Sequence, residues 1–134
     1  MARPVRVFFL DANIIMYAVG GPHLYREPCR KVLAAVEADA IDVVTNVEVL
    51  QEILHRYRAL GDPDRAEQAF LRAKTLCEVV LPVRLRDMDL AVTLLRQSPS
   101  LRTRDAIHAA TMLHAGLRRI LTTDRHFDRA LCGA

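Results

Sequence analysis

At 134 residues the chain is long enough to bury a hydrophobic core without disulfides or a structural metal, and a single domain spanning residues 1–134 is expected. Half of the residues are hydrophobic, but aromatic ones make up only 5% and tryptophan is absent, so the core must rest on Leu, Val, Ile and Ala. The net charge of +3 is modest, no segment approaches the roughly twenty apolar residues of a membrane span, and three cysteines without C-x-x-C spacing argue against a disulfide frame or a zinc site.

In chain order, residues 5–10 read as a buried strand, a β-branched and aromatic run bounded by Pro4 and Asp11. Asn13 is placed to cap a short helix over 14–19, stopped by Gly20-Gly21-Pro22. A second helix fits 25–38, with Val32, Leu33 and Val36 at helical spacing, and 41–45 form a second strand. The helix predicted over 47–60 carries Leu50, Ile53, Leu54 and Tyr57 as an i, i+3, i+4, i+7 stripe and ends at Gly61. Pro63 suits the first turn of a helix running to about residue 75. A short strand over 78–81, a helix over 87–96 and a loop over 97–102 follow. A helix over 104–115 is closed by Gly116, a fourth strand spans 119–122, and 124–134 read as a loop with a helical turn. Strands alternating with helices imply parallel βαβ units, right-handed crossovers and a three-layer α/β/α sandwich on a parallel sheet of four or five strands. The chain shows no internal repeat or linker.

Three acids stand at equivalent places in this pattern: Asp11 ends the first strand, Asp124 follows the fourth, and Asp105 opens an alanine-rich helix. Ligands of open parallel sheets bind beyond the carboxyl ends of the strands, so these acids can converge in one cleft. Converging carboxylates repel one another unless a cation lies between them. Hard cations such as Mg²⁺ take oxygen ligands of this kind together with waters and substrate phosphate. The pattern therefore points to a metal-dependent enzyme acting on phosphate esters.

Each residue also has a plainer reading. Asp11 can be a helix cap, Asp105 a first-turn acid favoured by the helix dipole, and His108 a packed or surface histidine. Glu52 lies off the apolar stripe and reads as a solvated residue paired with Arg56, while Glu48 one turn earlier serves equally well on pattern alone. The positive charge is nearly all arginine, since Lys31 and Lys74 are the only lysines. Arginine's planar fork suits the phosphates of an anionic polymer, and an arginine-biased coding sequence accounts for it as well. Arg102, Arg104, Arg125 and Arg129 flank the acids and are the candidates for phosphate contact. Cys29, Cys77 and Cys132 read as reduced thiols of a cytoplasmic protein, and no signal peptide is expected because Asp11 interrupts the N-terminal apolar stretch.

Four stretches add a resemblance: Phe9-Leu10-Asp11-Ala12-Asn13-Ile14-Ile15; Val44-Thr45-Asn46-Val47-Glu48-Val49-Leu50-Gln51-Glu52-Ile53-Leu54; Arg104-Asp105-Ala106-Ile107-His108-Ala109-Ala110; and Leu121-Thr122-Thr123-Asp124-Arg125-His126-Phe127. In order and spacing the chain resembles the PIN-domain nucleases, and among them the VapC toxins of toxin–antitoxin systems. The resemblance implies an endoribonuclease with Asp11, Glu52, Asp105 and Asp124 around Mg²⁺ or Mn²⁺, and it favours Glu52 over Glu48. It sets Asn13 and Thr122 where they orient the first and last acids. An RNA substrate, a cognate antitoxin and a homodimer are the partners it implies. One departure is that the chain runs only briefly past Asp124, with no clear fifth strand.

In this reading Asp11 and Asp105 are the direct metal ligands, with Asp124 and Glu52 completing the site through water or a second ion. Two other classes compete. A phosphoaspartyl domain of the receiver or haloacid-dehalogenase kind also places an Asp after its first strand, but it needs a second Asp two residues on or a late pocket lysine. Here that position is Asn13, and both lysines fall in predicted helices. A non-catalytic binding module would have no need of all four acids.

Overall fold

The structure, a computed structural model, describes residues 6–124. Its strands are β1 (Val7–Leu10), β2 (Asp42–Asn46), β3 (Val79–Leu81) and β4 (Ile120–Leu121). The helices are α1 (Ala12–Val19), α2 (Arg26–Glu37), α3 (Val47–Ala59), α4 (Pro63–Leu76), α5 (Leu85–Gln97) and α6 (Thr103–His114). All strand pairs are parallel, in the order β3-β2-β1-β4, with Phe9 beside Val44 on one side and Ile120 on the other. The chain thus steps outward from β1 to β2 to β3 and then returns past β1 to β4. Right-handed crossovers put helices on opposite faces when the direction of travel reverses. Hence α1–α4 cover one face and α5–α6 the other, the expected three-layer sandwich. A fifth strand would fall beyond residue 124, outside the described residues.

The apolar pattern explains the centre of the sheet. Phe9, Leu10 and Val43 are almost fully enclosed on β1 and β2, whereas Val79 on edge strand β3 is exposed. Ile15, Leu33, Val49, Ile53 and the small Ala69 and Ala73 close over the first face. Gly61 adopts a positive φ of 67° after α3, as its position in the sequence predicts. No helix among the described residues is long and apolar enough to cross a membrane.

Two local expectations change. Asp11, not Asn13, caps α1, because the helix begins two residues earlier than expected, at Ala12. On α3 the buried stripe is Val49, Ile53 and Tyr57, while Leu54 is exposed. The Asn46 side chain accepts from Val49 N–H and starts the helix right at the strand end, which turns the stripe toward Val49.

The opposite layer is built around α6. Ala106, Ala109 and Ala110 are fully buried, and every residue from Asp105 to Met112 is enclosed. A helix buried all round needs small side chains on the faces where neighbours come close. Its end is clamped to α5: Asp87, buried, accepts from Arg84 N–H and lies 2.6 Å from His114 Nδ1. Burial would raise the Asp87 pKa, but these two partners outweigh it and hold the carboxyl below its ordinary value. Cys29 and Cys77 are buried and unpaired, and burial pushes the Cys77 thiol up to about 12.

The shifted stripe on α3 is testable. Ile53→Ala removes a fully enclosed side chain and is expected to cost about 2–5 kcal/mol. Leu54→Ala, at a 45% exposed position, is expected to cost well under half as much in the same urea titration. Equal losses would mean that the helix faces the core as the original spacing predicted.

Candidate metal centre

The strand order reverses between β1 and β4, which makes the crevice beyond their carboxyl ends the natural ligand position of this sheet. Asp11 stands there. Its N–H donates to Leu121 O (3.1 Å), its Oδ1 accepts from Ala12 N–H (2.8 Å), and its Oδ2 accepts from the Thr122 hydroxyl (2.6 Å). That hydroxyl also accepts from Asn13 Nδ2 (3.3 Å) and Asp124 N–H (3.0 Å), so one donor and two acceptor positions are all used. Asn13 Oδ1 in turn accepts from Thr123 N–H. Asn13 therefore acts on Asp11 through Thr122, and the pair stitches the end of β4 to the start of α1.

Asp105 enters from the first turn of α6, is 4% exposed, and its Oδ2 has no hydrogen-bond partner among the described residues. Burial, then repulsion from Asp124 and Asp11, raises its pKa to about 6, against smaller opposing effects of His108 and Arg104. Asp11 is raised as well, chiefly by burial; His108 and the Thr122 hydroxyl pull it back, while Glu52 adds to the rise. Asp105 thus feels both Asp124 and Asp11, and Glu52 couples to Asp11.

Glu52 does not lie on a solvated face. Its side chain is 11% exposed and turns inward, with Oε1 2.6 Å from His108 Nε2. The arginine near it is Arg104, at 4.0 Å from Oε2, in place of the expected Arg56. Glu48 is partly buried too, and burial raises its pKa, but no hydrogen bond holds its side chain among the described residues. His108, considered a packed or surface residue on sequence, is fully buried and reaches Asn46 on one side and Glu52 on the other. Asn46 and Thr111 are the residues that sequence reasoning missed. The signal available was Asn46 at a strand-to-helix junction, where a cap is expected.

Arg102 and Arg104 are exposed beside this group and line a shallow hollow with Glu48 and Thr103. Arg125 and Arg129 lie outside the described residues. A neighbouring hollow of about 410 Å³ is walled by Glu48, Glu52, His55, Arg56 and Arg104. A larger cavity, about 710 Å³ between α3 and α4, is lined by none of the four acids; the convergent charged groups mark the chemistry, and volume does not.

A divalent cation suits these residues. Ligand atoms of Asp11, Glu52 and His108 lie within 4.8 Å of one another. Asp105 adds a buried carboxylate oxygen that no other group among the described residues satisfies. Buried acids with raised pKa values that face each other are the arrangement a cation relieves.

Residues 8–130 match the PIN domain family. Ribonuclease VapC13 of Mycobacterium tuberculosis is 34% identical over 122 residues, covering 91% of this chain and 93% of its own length. Among solved structures, that of M. tuberculosis VapC20, described as a sarcin-ricin loop cleaving toxin, superposes with a TM-score of 0.77 at 19% identity over 92% of this chain and 94% of its own. A toxin–antitoxin complex from Klebsiella pneumoniae gives a TM-score of 0.62 at 17% identity, over 87% of this chain and 86% of its own. The two structural likenesses carry the fold.

The raised Asp105 pKa fixes a sign for stability. The unfolded carboxyl titrates near about 3.9 and the folded one near 6, so its contribution is full below about pH 4 and is lost as pH rises to 6. Metal-free protein should therefore melt lower at pH 7 than at pH 5 on account of this group. Asp105→Asn should raise the Tm in EDTA at pH 7 and flatten that pH window. A variant that melts below wild type at pH 7 in EDTA would mean the carboxylate is not under repulsion.

Proposed function

Because this chain belongs to the PIN domain family, we propose that it is an endoribonuclease of the VapC kind, dependent on Mg²⁺ or Mn²⁺, with residues 1–134 as one nuclease domain. The observation that carries the metal is Asp105 Oδ2, a buried acceptor with no partner among the described residues, set beside Asp11 and Asp124.

Asp11 and Asp105 are the direct holders of the cation, and Asp124 and Glu52 complete its surroundings. Thr122, supported by Asn13, fixes the Asp11 carboxylate so that little reorganisation is needed on binding. A bound divalent cation would supply a water of lowered pKa and a Lewis acid for the attacked phosphate. Arg102 and Arg104 grip backbone phosphates and leave sequence choice to other contacts; Arg125 and Arg129 are proposed for the same task. The phosphoaspartyl alternative finds no support, since Lys31 and Lys74 belong to α2 and α4.

The same proposal makes the chain the toxin of a pair, restrained by a cognate antitoxin and able to form a homodimer, in the cytoplasm. The named VapC relatives and the toxin–antitoxin neighbour support the first half. Exposed apolar side chains such as Leu54 and Leu60 on one layer, and Leu85, Met88 and Val92 on the other, offer surface for protein contacts. Buried, unpaired Cys29 and Cys77 agree with a reducing compartment.

Purified protein should cleave RNA in Mg²⁺ or Mn²⁺ and stop on addition of EDTA. Asp11→Asn and Asp105→Asn should each lower cleavage by more than the roughly 10–100-fold typical of outer-sphere partners, while Asp89→Asn, at an exposed position, should leave it unchanged. Glu52→Gln should cost more than Glu48→Gln. Full metal-dependent cleavage by both aspartate variants would show that the reaction is carried elsewhere.

A further inference from the structure

His108 offers two readings within the proposed centre. Its Nε2 lies 3.9 Å from Asp11 and 2.6 Å from Glu52, so it can be a nitrogen ligand of the cation or a donor to Glu52. The hydrogen bonds around it decide between them, because their directions are set by backbone groups at both ends. Val49 N–H can only donate, so the Asn46 atom facing it is the carbonyl Oδ1 (2.9 Å). The Asn46 amide Nδ2 then faces Thr111 Oγ1 (2.9 Å) and His108 Nδ1 (3.0 Å). The Thr111 hydroxyl donates a hydrogen bond to the His108 carbonyl (2.9 Å), which can only accept, and so accepts one from Asn46. His108 Nδ1 therefore accepts a hydrogen bond from the amide and carries no proton of its own. A neutral imidazole then bears its proton on Nε2, the atom that faces Glu52 Oε1. Ligation through Nε2 would need the proton on Nδ1, pointed at the Asn46 N–H₂.

We propose that His108 is a positioning residue, not a metal ligand: the Asn46 amide locks the proton on Nε2, and that N–H holds Glu52 Oε1 so that Glu52 is presented to an all-oxygen centre. The ring has no freedom to change role, being fully buried and tilted against Phe9 with centroids 5.3 Å apart. Asn46 serves twice over, capping the helix that carries Glu52 and orienting the ring that grips it. An oxygen-only donor set also suits Mg²⁺ or Mn²⁺ better than a softer ion such as Zn²⁺. The inference rests on the proposed metal centre, but its first test does not require RNA cleavage.

Long-range ¹H–¹⁵N correlation spectra of the imidazoles, with His108 assigned by comparison with His108→Gln, report where the proton sits. The Nε2–H pattern is expected for His108 in both metal-free and Mg²⁺-loaded protein, and Mn²⁺-loaded protein should show no directly coordinated nitrogen by spin-echo spectroscopy. An Nδ1–H ring in the loaded protein, or a Mn–nitrogen coupling, would overturn the proposal. In titration calorimetry, His108→Leu should weaken Mg²⁺ binding about 10–100-fold, and His108→Gln, whose amide can still donate, should recover part of it. Wild-type Mg²⁺ affinity in a folded His108→Leu would equally reject the role. If the leucine variant fails to fold, Asn46→Ser keeps a helix cap while removing the donor to Nδ1, and should show a smaller loss with the same sign; no loss counts against the lock. A protein that cleaves no RNA would remove the proposed function and leave the imidazole assignment to the spectra.

Discussion

Repulsion among carboxylates at the carboxyl end of a parallel sheet is the constraint around which this molecule is arranged. Asp105 has an enclosed oxygen with no hydrogen-bond partner among the described residues, and Asp11 and Asp124 are close enough to raise its pKa. Such groups are costly to bury and are kept together only by what surrounds them. The fold meets the cost locally: the Thr122 hydroxyl and the Ala12 N–H for Asp11, the first turn of α6 for Asp105, the imidazole for Glu52. None of these contacts removes the repulsion itself. A cation does so by charge, which links the stability of the fold to the chemistry proposed for it.

The layer that brings Asp105 and His108 in is unusual in being enclosed along its whole working length. Alanines at 106, 109 and 110 let α6 settle between α5 and the sheet. The Asp87–His114 contact pins its far end, while Asn46 and Thr111 fix its middle to the β2–α3 junction. A larger side chain at any of these alanines would lift the helix and withdraw both proposed site residues together. Packing and site are here the same problem, since the helix that closes the hydrophobic layer also delivers the acid.

Two residues combine a structural role with a proposed chemical one. Asp11 caps α1 and faces the other acids; Asn46 caps α3 and orients His108. Sequence reasoning treats capping as the plain alternative to function, yet a cap sits where a strand hands over to a helix, which in a parallel sheet is where ligands bind. The plain reading of Asp11 as a cap and its reading as a site residue describe one position.

What the sequence by itself determined was periodic or punctuated: the strands at their apolar runs, the helices between Asn, Pro and Gly signals, and acids at equivalent strand and helix ends. Those features are local, and a chain of this pattern has few ways to fold other than a parallel three-layer sandwich. The cap of α1 lies two residues before the expected one and the stripe of α3 starts one residue earlier, because spacing fixes a period better than a phase. Only the tertiary structure decided where Glu52 points. On α3 alone it lies off the apolar stripe and looks solvated, and Glu48 is its equal. It is His108, 56 residues later, that turns it inward. Likewise Asn46, Thr111 and His108 carry no shared signal in the chain, since their relation is a set of hydrogen-bond directions between β2, α3 and α6. Directions of that kind exist only once the elements have packed.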